Sequence, residues 1–247
     1  MNTRPTLLID GDVIVFRVAL QVEQAIDWGN DLWTLHSDMS TAKQRFDIEI
    51  QDLMTDLKGS SCVLTFSEKH TFRHDINLQY KSNREGKRKP LVFPRLREYG
   101  LAEYDSECWP LLEADDVLGI MQTSMKDTVL VSIDKDMMTI PGYHYNPDHP
   151  ERGVIEVTPE EAEMSFLCQA IAGDPVDGSA GCPGLGMKRG RKLLEEKGNV
   201  WSTVVEAYES RHLSEEVALM NARMARILTK DLWDTKSQQV ILWEPPQ

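Results

Sequence analysis

Nine carboxylates stand where an apolar run gives way to polar chain. Asp10 closes TLLID, and Glu68 follows SCVLTF and Ser67. Glu113, Asp115 and Asp116 open the helical pattern LEADDVLGI. Asp134 and Asp136 follow VLVSI, and Asp174 and Asp177 lie three apart in AGDPVDG. Each has an ordinary structural use on its own. Asp174 before Pro175 makes a good helix cap, Asp115 and Asp116 favour the start of a helix dipole, and Asp134 and Asp136 form turns. Their shared placement at strand ends and helix starts has no such explanation. Converged in one cleft, the nine would account for most of the formal net charge of −13 and leave −4 on the rest of the chain. Unpaired, they would repel one another until some became neutral, unless cations joined them. Oxygen donors without histidine or cysteine select Mg²⁺, with Mn²⁺ as substitute, over zinc. Two such ions roughly 4 Å apart are the usual device for phosphodiester hydrolysis.

Two basic stretches complement these acids. YKSNREGKRKP (80–90) places Tyr80 beside Lys81 and Arg84, with Lys87 and Arg88 following. An aromatic face next to cations grips single strands or frayed ends, and an arginine fork can hold a phosphate bidentately. In the second stretch, CPGLGMKRGRK (182–192), Gly184 and Gly186 let backbone approach a ligand at a helix start, and Lys188, Arg189 and Arg191 add counter-charge. A glycine-rich turn is weak evidence by itself. An Asp-x-x-Asp pair directly upstream makes it more specific.

The elements that must position these groups are legible in outline. Short apolar runs at 6–10, 61–66, 101–108 and 127–134 read as strands, and helical patterns at 12–27, 42–58 and 114–125 lie between them. Strands alternating with helices imply an α/β core with a mainly parallel sheet, whose ligands gather at the strands' carboxyl ends. From about residue 158 the pattern turns helical, opening on Thr158 and Glu161 in the form of a capping box. QVILW (239–243) reads as a last strand returning to the sheet edge. The expected division is a nuclease-like core at 1–157 and a helical region at 158–247.

Composition narrows the class. Of 247 residues, 41% are hydrophobic and 27% charged, the balance of an ordinary globular protein. No apolar run approaches the roughly 20 residues of a membrane helix, and acidic residues follow the N-terminus too soon for a signal peptide, so a cytoplasmic protein without a membrane partner is expected. The four cysteines form no Cys-x-x-Cys pair, which argues against a zinc knuckle and a disulfide framework. Nothing in the sequence demands more than a monomer.

With these residues in view, the chain resembles the flap-endonuclease and 5′-exonuclease superfamily, and most closely the 5′→3′ exonucleases of short-tailed bacteriophages, which would place it in a host cell's cytoplasm. The matching stretches are IDGDVIVF, LTFSEKHTFR, YKSNR, LEADDVLGI, VSIDKDMMTIP, AGDPVDGSAGCPGLG and the pair MARIL and VILW, in order along nearly the whole chain. The resemblance implies a PIN-like core and a helix-hairpin-helix element that grips duplex DNA. It also implies two divalent metals, one among Asp10, Glu68, Glu113, Asp115, Asp116 and Asp134, the second toward Asp136, Asp174 and Asp177. Lys81 and Arg84 match the phosphate-contacting pair at the base of an arch, here spanning about 81–103, and K⁺ is implied at main-chain carbonyls near 179–183. The implied activity is 5′→3′ hydrolysis of duplex DNA at 5′ ends, nicks or flaps, and of RNA in RNA–DNA hybrids, with Asp10, Glu113, Asp134, Lys81 and Arg84 catalytic.

Three departures bear on that activity. Position 68 is Glu where relatives usually carry Asp, the arch is short, and the hairpin has arginine and glycine where many relatives have threonine and alanine. The short arch favours action at ends over threading of long flaps. Structure-specific flap cleavage is the nearest alternative. A haloacid-dehalogenase-like phosphatase, with Asp10 as nucleophile and Asp12 as acid, is a second, although Ile14 stands where its hydroxyl residue belongs. A catalytically inert DNA-binding scaffold is a third.

Overall fold

The run TLLID has three consecutive apolar residues, and a strand with that pattern must be covered on both faces. It forms the centre of the sheet. In the computed structural model, which describes residues 4–84 and 86–246, β1 (Thr6–Asp10) is followed by α1 (Gly11–Val22), β2 (Gln24–Asp27), β3 (Trp33–His36), α2 (Met39–Asp56), β4 (Ser61–Thr65), α3 (Phe72–Ile76), α4 (Phe93–Glu103), β5 (Ser106–Glu107), α5 (Ala114–Ser124), β6 (Thr128–Val131), β7 (Gly142–Tyr145) and β8 (Ile155–Val157). The chain then runs through α6 (Pro159–Ala172), α7 (Met187–Lys197), α8 (Trp201–Glu209), α9 (Glu215–Ala225), β9 (Trp233–Asp234) and β10 (Gln239–Val240).

The main sheet has the order β5-β4-β1-β6-β7-β8 and is parallel except for β8. Leu7 and Ile9 face the layer of α1, α2 and α4, with Val15, Val18, Phe46, Phe66 and Leu96. Leu8 points the other way, to Val63, Leu118 of α5, Leu130 and Ile140. Because β1, β4 and β6 run parallel, their carboxyl ends, carrying Asp10, the Ser67–Glu68 loop and the loop to Asp134, open on one edge. A second apolar cluster, built on Phe166, Leu167, Leu194, Val204, Tyr208 and Trp243, holds the helical region.

Local chemistry sets the helix starts. The Asp10 carboxylate accepts from the Val13 amide at 3.1 Å, and Asp38 accepts from Thr41 N–H at 2.6 Å. Thr158 and Glu161 form the expected reciprocal box at α6, with Pro159 in its first turn.

The structure departs from the sequence reading in four places. The helix expected over 12–27 stops at Val22 and gives way to the β2–β3 hairpin. The strand expected at 101–108 shrinks to Ser106–Glu107, because residues 93–103 are helical, with Phe93 and Leu96 buried against α1 and α2. That helix belongs to the core, so only residues 81–92 of the expected arch lie outside it. QVILW does not return to the sheet. Gln239–Val240 pairs with Trp233–Asp234 in a separate ribbon, and Trp243 packs on Phe166 and Trp201. Finally, β7 and β8 extend the main sheet where no strand was expected.

Candidate active site

A cleft of about 1650 Å³ opens at the carboxyl edge of the sheet and is lined by Asp10, Glu68, Glu113, Asp115, Asp134, Asp136, Asp174 and Asp177, with Asp12 among them. Eight of the nine expected carboxylates therefore share one cleft. The ninth, Asp116, does not. It is 0% exposed, and both its oxygens are occupied: Arg73 Nη1 and Nη2 donate to them at 2.6 and 2.9 Å, and the Glu113 and Leu228 amides at 3.2 and 3.1 Å. Successive helix residues are turned about 100° apart, so Asp115 faces the cleft while Asp116 faces the protein. Asp116 is a structural anion that ties the start of α5 to α3 and to the segment after α9, and with both oxygens engaged it does not stand among the cleft acids as expected.

Arg73 carried no signal in the sequence reading. Buried in α3, it spends its remaining donors on the carbonyls of Met224 at 3.0 Å and Arg226 at 2.8 Å, and lies 3.5 Å from Glu113. Burial alone would lower its pKa, but Asp116 and Glu113 outweigh that and hold the guanidinium firmly charged.

Tyr80 likewise differs from its expected role as a stacking face. It is 6% exposed and offers no free stacking face, and its hydroxyl donates to Glu113 Oε2 at 2.8 Å. Burial pushes its pKa far above the ordinary tyrosine value, so it stays a donor. Lys81 Nζ reaches Glu113 Oε1 at 2.5 Å and Asp177 at 3.8 Å, and Arg84 Nη2 reaches Asp177 Oδ1 at 2.5 Å. Burial works to raise the Glu113 pKa, yet Arg73 and Lys81 together bring it below the usual range. Lys87 and Arg88 line the same cleft, with Arg88 held bidentately by Glu23 at 2.6 and 2.8 Å.

The other acids feel one another. Burial pushes Asp10 up to about 7, with Asp12 and Asp134 adding to it against the Val13 amide and the Ser132 hydroxyl. Burial likewise raises Asp115, with Asp10, Asp134 and Glu113 contributing, and raises Asp136, with Asp134 and Asp174 contributing. Supporting groups fix several of them. Ser132 Oγ lies 3.4 Å from Asp10 and 3.1 Å from the Asp134 amide, Gln169 of α6 donates to Asp136 at 3.0 Å, and Asp12 accepts from Ser67 N–H at 2.8 Å and from Arg97 at 3.3 Å.

Asp174 and Asp177 sit in a turn, without the helix that would make Asp174 a cap. The Asp174 carboxylate accepts from Val176 N–H at 2.8 Å. Gly173 and Gly181, with φ of +65° and +67°, close this loop so tightly that a Cβ at Gly173 would lie 2.3 Å from the Gly181 amide. Asn221 of α9, also missed by the sequence reading, anchors it by accepting from Ser179 Oγ at 2.6 Å and Gly181 N–H at 3.0 Å. Beyond the loop, Gly184 has φ of +76° and Gly186 precedes α7. Lys188, Arg189 and Arg191 are exposed there, outside the cleft lining.

The donor set suits hard divalent ions. Every acid of the cleft offers oxygen, and the pKa values of Asp10, Asp115 and Asp136 are raised first by burial and then by neighbouring carboxylates, whose negative charge a cation would relieve. Among the described residues no three of the acidic, histidine or cysteine side chains are arranged to hold an ion by themselves. Glu113 and Asp177 are turned toward Lys81 and Arg84, and Mg²⁺, which keeps several waters and takes substrate oxygens, needs no complete protein cage.

Residues 5–146 match the model of the 5′–3′ exonuclease N-terminal, resolvase-like domain. The chain belongs to this 5′–3′ exonuclease family. It is an enzyme of the nuclease class, which removes the phosphatase and inert-scaffold alternatives. It is 25% identical to the exodeoxyribonuclease of Enterobacteria phage T3, over 97% of this chain and 92% of that one, and 26% identical to the exonuclease of Escherichia phage T7, over 97% and 93%. Among solved structures it resembles the bacteriophage T5 5′-exonuclease bound to divalent metal ions, with a TM-score of 0.66 at 19% identity, covering 90% of this chain and 89% of that one. The catalytic core of Rad2 in complex with DNA substrate has a TM-score of 0.53 at 11% identity, covering 85% and 65%. Both likenesses carry the α/β architecture with a mainly parallel sheet and a helical C-terminal region. No helix among the described residues is long and apolar enough to cross a membrane.

Proposed function

We propose that the chain is a Mg²⁺-dependent exonuclease that hydrolyses duplex DNA, and RNA paired to DNA, from 5′ ends. In this reading residues 1–157 make the cut and residues 158–247 hold the duplex. The observation that carries it is the convergence of eight carboxylates on one cleft that Lys81 and Arg84 also line. The relatives named as exonucleases and the solved complexes with metal or DNA add support. The reading also takes the chain as a cytoplasmic monomer, with K⁺ at the carbonyls of 179–183.

Asp10, Glu68, Glu113, Asp115 and Asp134 would hold one divalent ion, and Asp136, Asp174 and Asp177 would extend toward a second. Bound there, such ions supply counter-charge to phosphate oxygens and make water acidic enough to attack at neutral pH. The chain's own residues do the rest. Lys81 leaves Glu113 to meet the scissile phosphate as a point charge, and Arg84 leaves Asp177 to take two of its oxygens. The Tyr80 hydroxyl keeps Glu113 oriented, and the Arg73–Asp116 pair keeps the start of α5 in place. Unpairing the terminal nucleotides costs a few kcal/mol, by analogy with base extrusion, and phosphate contacts from Lys87 and the start of α7 offset it. The limited span of 81–92 suits an opened end better than a long threaded flap.

The test is a time course with Mg²⁺ on duplex DNA labelled at the 5′ or the 3′ end. Release of short 5′-labelled products at the earliest times, with stepwise shortening of the 3′-labelled strand, is expected. First loss of the 3′ label, release of inorganic phosphate alone, or equal cleavage in a chelator would overturn the reading.

A further inference from the structure

Residues 24–36 form a hairpin that is exposed throughout except at Ile26, which is half-buried. Ala25 lies opposite Leu35 and Asp27 opposite Trp33, so these four side chains share one face, while Ile26 and Thr34 share the other. Trp28 folds over the second face, its Nε1 donating to Thr34 Oγ1 at 2.8 Å. Trp33 remains 59% exposed, Leu35 41%, Leu32 58% and Trp28 63%. A two-stranded hairpin alone is marginally stable in water, and clustered exposed apolar side chains mark a surface meant to be covered. The turn is nevertheless well specified. Gly29, Asn30 and Asp31 all take positive φ, the Trp28 amide donates to Leu32 O at 2.9 Å, and the Asp27 carboxylate accepts from Gly29 N–H at 2.8 Å.

Charge selects what covers it. Residues 18–42 contain no lysine or arginine, and Asp27, Asp31 and Asp38 lie in and around the hairpin, while Glu23 at its foot is paired with Arg88. Such a surface repels phosphate, and its acids would also repel the same face of a second copy of the chain. Neither strand pairs with a third among the described residues, so both outer edges offer backbone hydrogen bonds. The geometry points to a docking surface for another protein: an extended segment in which apolar side chains alternate with Lys or Arg, laid against Trp33 and Leu35. α1 has 12 residues, and at 1.5 Å per residue it separates the hairpin from Asp10 by about 18 Å. The cleft lining reaches Leu20 and Gln21 at the end of α1, so the partner would sit at the rim of the cleft, away from Asp10. This inference is independent of the chemistry proposed for the cleft.

A random dodecapeptide library is selected on the full chain and counter-selected on the Trp33→Lys/Leu35→Lys variant. Recovered peptides should alternate apolar residues with Lys or Arg and bind the wild type at least tenfold more tightly than the variant, whose thermal unfolding and duplex cleavage should match the wild type. Should that variant misfold, Gln24→Lys/Asp31→Asn keeps the apolar face and makes the hairpin more positive by two charges; it should weaken the same peptides at least threefold. Peptides that bind all forms equally, or that lack basic residues, would overturn the proposal. So would tighter duplex binding by the wild type than by the variants, which would make this a nucleic-acid surface, or dimerisation that the variants abolish.

Discussion

The two basic segments of this exonuclease use their charge differently. Lys81, Arg84 and Arg88 reach across to Glu113, Asp177 and Glu23 on other elements, at 2.5, 2.5 and 2.6 Å. On α7, among the described residues, Arg191 and Lys192 pair only with Glu195 and Glu196 one turn along the same helix, and the Arg189 fork reaches the Gly184 carbonyl at 3.0 Å. Pairs within a helix contribute a few tenths of a kcal/mol and leave the charge facing solvent. A cation held between two elements has its position set relative to the acids. The first segment should therefore govern the rate of cleavage, and the second how tightly the duplex is held.

The largest effect is expected where the two kinds of charge meet. Glu113→Gln removes a cleft acid and unhooks Lys81, and should slow single-turnover cleavage on the order of 10³-fold while duplex affinity changes little. A loss confined to affinity would erase the distinction. Next come the neighbours Asp115 and Asp116, which should respond with opposite signs. Asp116→Asn breaks a buried ion pair and should cost about 3 kcal/mol of stability in denaturant titrations. Asp115→Asn relieves repulsion and should stabilise the protein in a chelator. Equal destabilisation by both would remove the assignment of Asp116 as a structural anion.

Acidity offers a third comparison. Asp10, at about 7, and Asp115 are both raised, so the folded state favours their protonated forms. Their contribution to stability is present below the ordinary carboxylate range and is lost as pH rises toward 7. The metal-free protein should therefore melt at a lower temperature at pH 7.5 than at pH 5, and the gain in melting temperature on adding Mg²⁺ should grow over the same interval. A gain independent of pH would show that cations do not bind among these acids. The smallest effect belongs to α7. Arg189→Ala should weaken duplex binding a few-fold and reduce the slope of log affinity against log salt by about 1.

Much of this arrangement was legible in the sequence because it follows from periodicity and end signals. The buried run TLLID, the capping box at Thr158 and the acids at strand ends all lie where their chemistry required. β7 was missed because GYHY sits between Pro141 and Pro147 and lacks a continuous apolar run. The β2–β3 hairpin was missed because a strand exposed on both faces leaves no alternation to read. Adjacent acids such as Asp115 and Asp116 look equivalent in one dimension, and only the buried Arg73, 43 positions from Asp116, separates them. Tyr80 looked like a stacking platform because its neighbours are cationic, whereas its hydroxyl is committed to Glu113.

The measurement closest to the central claim compares Lys81→Ala with Lys188→Ala on one 5′-labelled duplex, recording both the single-turnover rate in Mg²⁺ and the dissociation constant in Ca²⁺. The account predicts that Lys81→Ala lowers the rate by about 10²-fold at nearly unchanged affinity, while Lys188→Ala weakens affinity a few-fold at nearly unchanged rate. Equal losses of affinity in both variants, with the rate untouched, would contradict it.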